Sequence, residues 1–436
     1  VKWIRSQPWC DGKIGGWGGS YVGYTQWAIS DVLDAITPEL TSANIYELFY
    51  PGGIFSLATA FNWGLLVDAK TVNPVQPDKI LASYNILPLS LADDSTTKDI
   101  AFINEWLMHE NYDDYWRAQN HRNVARAPAF SIAGWYDIFL MPQILDFQFL
   151  SEDVRSKSRL IIGPWCHGKQ AWENKYGGGE KKGNKTNWMA GFFNENLRNQ
   201  VFDYADPVFK NKIYNLFVME RNEYFGCDTW PPRSVEFTPY YLGPDGYLSP
   251  QLPEKKGKLE YFYDPADPFP NKGGTFLGVN VGAAVQNENM GRHDQLVFET
   301  TVLTDDLILL GPLTATLYVT SGARSTDFYV SIHDVMPNDT IINIQENGKK
   351  VELTPGINKV DLSLWATGYQ LYPDHKLRVV ITSALFPRFN RNLNSGEPIF
   401  SATNMKKVQQ AVYYGAHPSS VTLSILRWKS GEKFEE

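Results

Sequence analysis

Three residues of this chain have the types and settings that acyl-transfer chemistry needs. Ser20 lies in Gly15-Gly16-Trp17-Gly18-Gly19-Ser20-Tyr21-Val22-Gly23, where a short strand, residues 13–17, runs through glycines into a helix-like run, Thr25-Gln26-Trp27-Ala28-Ile29. Such a turn holds its serine in a strained conformation with the hydroxyl pushed out above a sheet, and small neighbours let strand and helix pack closely. Asp137 follows the apolar strand signal in Pro128-Ala129-Phe130-Ser131-Ile132-Ala133-Gly134-Trp135-Tyr136, and His167 follows that in Ser158-Arg159-Leu160-Ile161-Ile162-Gly163-Pro164-Trp165-Cys166. Serine is a weak nucleophile until an imidazole takes its proton, and a carboxylate must fix the imidazole's tautomer and stabilise its cation. The backbone N–H of Tyr21, next after the serine, is the expected donor to a developing oxyanion.

The elements that position these groups are strands alternating with helices, which imply a parallel sheet with its ligand site beyond the carboxyl ends of the strands. Ser20, Asp137 and His167 each sit just past such an end, and the chain order Ser, Asp, His is that of α/β-hydrolases. The spacing Gly-x-Ser-x-x-Gly departs from the strict Gly-x-Ser-x-Gly elbow. The predicted fold class is α/β: an α/β-hydrolase, N-terminally incomplete, with a mainly helical segment between its parts and a C-terminal all-β domain. Incompleteness is expected because the first identifiable strand already leads into the nucleophile. Earlier strands would cover its edge, and a loop after one of them normally gives the second oxyanion donor. An N-terminal segment or a second polypeptide is therefore expected to complete the sheet.

Four regions are read along the chain. Residues 1–46 carry a helix, the elbow strand and the elbow helix; 47–120 are mainly helical and rich in Trp, Tyr and Phe, as for a cap. The sheet resumes near Asn123, and residues 121–232 carry the acid and the histidine. From Trp230-Pro231-Pro232 the texture changes to short β-branched and aromatic runs between turn residues, so 233–436 reads as a β-sandwich. Gly177-Gly178-Gly179-Glu180-Lys181-Lys182-Gly183-Asn184-Lys185 reads as a solvated surface loop.

The 436 residues carry a formal charge of −8 and no dense basic block, which argues against nucleic acid or an anionic membrane as partner. No run is long and apolar enough to span a bilayer. Three cysteines give no disulfide framework. Cys10 precedes its strand and Cys166 follows one, so the two lie at opposite ends of a parallel sheet and are expected to be free; Cys166 reads as a small core-facing residue. No Cys/His cluster has zinc spacing, and His109 and His121 read as structural or surface residues.

The chain resembles the cocaine esterase / glutaryl-cephalosporin acylase group of serine hydrolases, which is related to the X-prolyl dipeptidyl peptidases. The resemblance runs over nearly the whole chain. It is carried by Trp9-Cys10-Asp11-Gly12, Tyr50-Pro51-Gly52-Gly53-Ile54-Phe55, Asn111-Tyr112-Asp113-Asp114-Tyr115-Trp116, Gly134-Trp135-Tyr136-Asp137, Gly163-Pro164-Trp165-Cys166-His167, Tyr263-Asp264-Pro265-Ala266-Asp267-Pro268 and Phe386-Pro387-Arg388-Phe389-Asn390-Arg391-Asn392. It implies Ser20 as nucleophile, Asp137 as acid and His167 as base, and makes the sandwich a jelly roll. It also implies a helical cap. The departure is the missing N-terminal part, where the group carries a tyrosine whose hydroxyl completes the oxyanion hole.

The expected function is cleavage of an ester or amide acyl bond in a small molecule through an acyl-enzyme, with no metal or organic cofactor and with homo-oligomer formation open. Trp135, Tyr136, Phe139 and Trp165 flank the triad in sequence and are candidates for an apolar acyl pocket or, equally, for core packing. An X-Pro dipeptidyl aminopeptidase on the same scaffold would need acidic groups for the substrate's amino terminus. Asp113 and Asp114 are the candidates, beside the plainer reading of a solvated acidic helix end. The reading from another class is a non-catalytic β-sandwich binding module or inactive fragment.

Overall fold

The computed structural model describes residues 1–67, 77–96, 100–168, 185–200, 212–428 and 433–436. The first sheet has six strands in sequential order: β1 (Gly15–Gly19), β2 (Ala35–Glu39), β3 (Phe130–Tyr136), β4 (Arg159–Cys166), β5 (Tyr214–Val218) and β6 (Glu223–Cys227). β1 to β5 run parallel and β6 pairs antiparallel with β5. Strands buried on both faces read as continuous apolar runs, and β3 and β5 are buried along their whole length. Among the described residues β1 pairs only with β2, and Trp17 on it is exposed.

Two departures from the sequence reading matter for the site. The elbow strand is Gly15–Gly19, so it ends directly against Ser20. A strand absent from that reading, β2, lies between β1 and β3. Its proline is tolerated because β2 meets β3 through only one ladder pair and one isolated bridge, and the Pro38 carbonyl accepts from Gln143 Nε2 instead. The sheet then resumes at Phe130 rather than Asn123, whose segment is a 3₁₀ turn.

Helices α1 (Tyr21–Ala28), α2 (Leu57–Val67), α3 (Ala101–Met108), α4 (Leu140–Phe149) and α5 (Lys185–Arg198) accompany the sheet. α2 and α3, with the segments around them, form a separate aromatic core over the carboxyl ends of the strands. There Phe49 stacks on Trp106 at 4.1 Å and Trp63 contacts Trp106 at 5.7 Å. The cap is tied to the sheet by an ionic knot that is buried at Asp146 and partly exposed at Glu47. Arg122 bridges Glu47 of the cap and Asp146 of α4, and Asp146 accepts the Ala43 N–H at 2.7 Å.

The C-terminal half is a two-sheet all-β domain. One sheet has β10 (Gln295–Glu299), β15 (Lys376–Thr382), β12 (Ser325–Val335) and β13 (Ile341–Glu352). The other runs β8 (Leu248–Ser249), β7 (Val235–Leu242), β17 (Ser420–Leu426), β11 (Leu307–Ser321), β16 (Val408–Tyr414) and β9 (Gly257–Tyr263), with β14 (Asn358–Leu371) also paired to β11. One continuous apolar core runs from the α/β sheet into this domain. The Gly177 to Asn184 loop reading lies outside the described residues. No helix among the described residues is long and apolar enough to cross a membrane.

Candidate active site

Ser20 is the hinge between β1 and α1 and has φ 54°, ψ −130°, a conformation an L-residue holds only when its surroundings impose it. Its N–H donates to the Glu39 carbonyl of β2 at 2.8 Å. Gln26 of α1 fixes the turn from behind, donating to the Gly18 carbonyl at 2.8 Å and accepting from the Thr37 N–H at 3.0 Å. The glycines are required at two points. Gly18 has φ 138°, and a Cβ on Gly23 would lie 2.4 Å from the Thr41 methyl. α1 therefore packs closely on the Thr41 side chain just past β2.

β3 ends at Tyr136 and β4 at Cys166, so Asp137 and His167 emerge side by side at the sheet's carboxyl edge. Ser20 Oγ lies 2.9 Å from His167 Nε2, and His167 Nδ1 lies 2.8 Å from Asp137 Oδ2. Asp137 is fully buried, and its second oxygen accepts the Phe139 N–H at 2.8 Å. With the carboxylate accepting from Nδ1–H, the ring presents an unprotonated Nε2 to the serine hydroxyl. Tyr21 opens α1, where an N–H has no carbonyl one turn back to bond. The neighbouring Cys166 is buried, and burial, then the charge of Asp137, pushes its thiol up to about 12, so it stays protonated.

Ser20 and His167 open into a cavity of about 210 Å³ walled by Tyr24, Leu48, Phe49, Trp63, Trp106, Ile138, Phe139 and Leu277, with Thr59 and Gln119 as its uncharged polar members. Of the four aromatics that flank the triad in sequence, Phe139 lines this cavity, its ring 5.5 Å from His167. Trp135, Tyr136 and Trp165 do not line it. They are buried in the core, Trp135 donating to the Phe217 carbonyl and Tyr136 to the Asn343 carbonyl. Alternation along β3 and β4 sends these side chains into the sheet's packing layers rather than past its edge.

Asp113 and Asp114 do not reach the cavity either. Asp113 caps the turn Asp114–Arg117 and bonds His109 at 2.6 Å, lining a separate polar cleft of about 320 Å³ between cap and sandwich. Asp114 is exposed and pairs with Arg117. The wall residues Leu48, Phe49, Trp63 and Trp106 carry no signal beyond the aromatic density of the cap. Leu277, from the sandwich, has none in its local sequence. Cys10, Cys166 and Cys227 are free, and no metal-binding group of His, Cys, Asp or Glu occurs among the described residues.

Comparison with known proteins agrees with this architecture. Residues 1–169 match the family model of the X-Pro dipeptidyl-peptidase (S15 family), and residues 214–422 match the X-Pro dipeptidyl-peptidase C-terminal non-catalytic domain. The chain is 29% identical to the cocaine esterase of Rhodococcus sp. (strain MB1 Bresler), covering 98% of this chain and 83% of that one. Among solved structures, an α-amino acid ester hydrolase superposes with a TM-score of 0.80 at 20% identity, over 95% of this chain and 77% of the other. A CocE/NonD family hydrolase from Staphylococcus aureus superposes with a TM-score of 0.67 at 18% identity, over 98% and 74%. The chain thus carries an S15-type hydrolase domain followed by its companion β-domain, and it is homologous to cocaine esterase.

Proposed function

We propose that this chain is a serine esterase that cleaves small neutral esters with an apolar, ring-sized acyl group through an acyl-enzyme on Ser20. Ser20 Oγ attacks the carbonyl carbon while its proton passes to His167 Nε2. Asp137 keeps the ring oriented and stabilises the imidazolium. The Tyr21 N–H donates to the oxyanion as the tetrahedral intermediate forms. His167 then hands the proton to the leaving alkoxide. Water, deprotonated by the same nitrogen, attacks the acyl-enzyme and returns Ser20 to its hydroxyl form.

The observation that carries the substrate class is the cavity wall. It is aromatic and aliphatic, and among the described residues His167 is the only ionisable group of that wall besides the Tyr21 and Tyr24 phenols. A free α-amino group needs a carboxylate to receive it, because a desolvated ammonium without a partner is costly. Among the described residues no carboxylate lines this cavity, and Asp113 and Asp114 lie elsewhere. This favours simple acyl esters over the X-Pro dipeptidyl substrate, and the hydrogen-bonded Ser-His-Asp set speaks against an inactive binding module. Hydrolysis of p-nitrophenyl benzoate, butyrate and acetate should be compared with that of Gly-Pro p-nitroanilide and phenylglycine methyl ester. The expected order puts benzoate and butyrate first. A higher kcat/KM for the amino-bearing substrates would overturn the assignment.

A further inference from the structure

We infer that the polar cleft between cap and sandwich is a second binding site, which takes the carboxylate of a small apolar monocarboxylic acid on the Arg391 guanidinium. The cleft is separate from the catalytic cavity, and no described residue lines both. Its walls draw on three segments singled out in the sequence that the triad leaves unused: 50–55, 111–116 and 386–392. At about 320 Å³ it is large enough for a small organic ligand.

Arg391 carries the inference. It is 5% exposed, and among the described residues no carboxylate pairs with it. An arginine is almost never buried to this degree without a partner charge, because a desolvated cation is costly. Two of its N–H groups reach Asn85, one the side-chain oxygen at 3.3 Å and one the carbonyl at 3.1 Å. Its Nε is buried and has no partner, and the guanidinium lies 5.2 Å from the centre of the Phe386 ring.

The acids that border the cleft are engaged elsewhere. Glu110 takes Lys350 at 2.8 Å and the Ile399 N–H at 2.8 Å, Asp113 takes His109 at 2.6 Å, and Glu352 lies 3.9 Å from Arg324. Glu397 accepts from Ser395 and from the Thr403 and Asn404 N–H groups. Asp327 accepts from Asn392 at 2.8 Å, and burial pushes its carboxyl up to about 7. One positive charge is left without a counter-charge. That suits a single carboxylate, which a guanidinium can hold with two parallel N–H bonds. A phosphate dianion would bring a second negative charge among these acids, and like charges held together are disfavoured. Ile54, Phe55, Leu89 and Leu393 supply apolar wall, so the body of the acid is apolar. The competing role for Arg391, a brace between its own segment and Asn85, needs no anion.

Isothermal titration of the full chain with benzoate, benzamide and inorganic phosphate, at one ionic strength, separates the two roles. Benzamide has the shape of benzoate without its charge, so it reports any binding in the uncharged catalytic cavity. Wild type is expected to bind benzoate at least about 10-fold more tightly than benzamide or phosphate. Arg391→Met should lose that preference and leave benzamide binding unchanged. Arg391→Lys keeps the charge without the planar fork and should retain part of the preference. In wild-type crystals soaked with p-bromobenzoate, the bromine should lie in the cleft beside Arg391, and this result decides alone if Arg391→Met does not fold. Equal affinity for benzoate and benzamide, a preference that survives in Arg391→Met, or bromine found only in the Ser20 cavity defeats the inference. No readout here depends on turnover, so its failure leaves the Ser20 chemistry untouched, and the reverse holds.

Discussion

Replacing Arg122 by Met gives the strongest test of how the cap is held over the site, because it strands a fully buried carboxylate. Arg122 donates to Asp146 at 2.7 Å and bidentately to Glu47, and Asp146 supports the 41–45 segment through the Ala43 N–H. Burial pushes the Asp146 carboxyl up to about 6 although Arg122 and the Ala43 N–H pull it down. Its folded pKa lies above the unfolded value, so the folded state holds the proton more tightly. Its ionisation therefore costs stability, increasingly as pH rises from about 4 through 6. Without Arg122 the folded pKa must climb further, and at pH 8 two pH units of extra penalty amount to about 3 kcal/mol at about 1.4 kcal/mol each. Loss of the partly exposed Arg122–Glu47 pair adds about 1 kcal/mol at any pH. At pH 5 Asp146 is mostly protonated in both proteins and only that last part remains.

Unfolding entropy of about 2.1 cal/mol/K per residue over the roughly 230 residues of the α/β part gives about 0.5 kcal/mol/K. Arg122→Met should therefore melt about 8 °C below wild type at pH 8 and about 2 °C below at pH 5, read by scanning calorimetry at one scan rate. A deficit of equal size at both pH values, or a larger one at pH 5, would refute the reasoning.

Other expectations follow from the same geometry. Ser20→Ala should lose at least about 10³-fold in kcat, measured with p-nitrophenyl butyrate. Trp63→Ala should cut kcat/KM for p-nitrophenyl benzoate by about 10- to 100-fold, from about 1.5–3 kcal/mol of lost apolar contact, and change the acetate rate far less. Gly23→Ala, which sets a methyl against Thr41, should destabilise by about 1–3 kcal/mol in urea titration and lower kcat with it. EDTA should leave turnover unchanged, since the proposed chemistry is complete in Ser20, His167 and Asp137; loss restored by zinc would contradict that.

The placing of Ser20, Asp137 and His167 at strand ends was legible because each follows an element with a strong local signature: glycines at the elbow, and apolar runs bounded by Pro or Gly before Asp137 and His167. β2 escaped because it is five residues long and contains Pro38, which local pattern reads as a break; parallel neighbours and the Gln143 side chain make it a strand. The pocket was legible only as composition. The aromatic residues of the cap are visible in the sequence, but which of them face Ser20 depends on how α2 and α3 sit over the sheet. That placement is decided by contacts such as Phe49 on Trp106 and by the Arg122 knot. Trp135, Tyr136 and Trp165 drew attention by sequence adjacency to the triad, yet strand alternation turns them into the core. Leu277 comes from more than a hundred residues beyond His167, and no local pattern signals a contact made by domain packing.

Covalent chemistry at Ser20 is tested most directly by trapping it. The purified chain is treated with a fluorophosphonate, its intact mass taken, and the adduct mapped by peptide sequencing. One adduct per chain is expected, on Ser20, formed at a rate that falls in His167→Gln and absent in Ser20→Ala. An adduct on Cys166 or any other residue, or labelling that persists in Ser20→Ala, would contradict it.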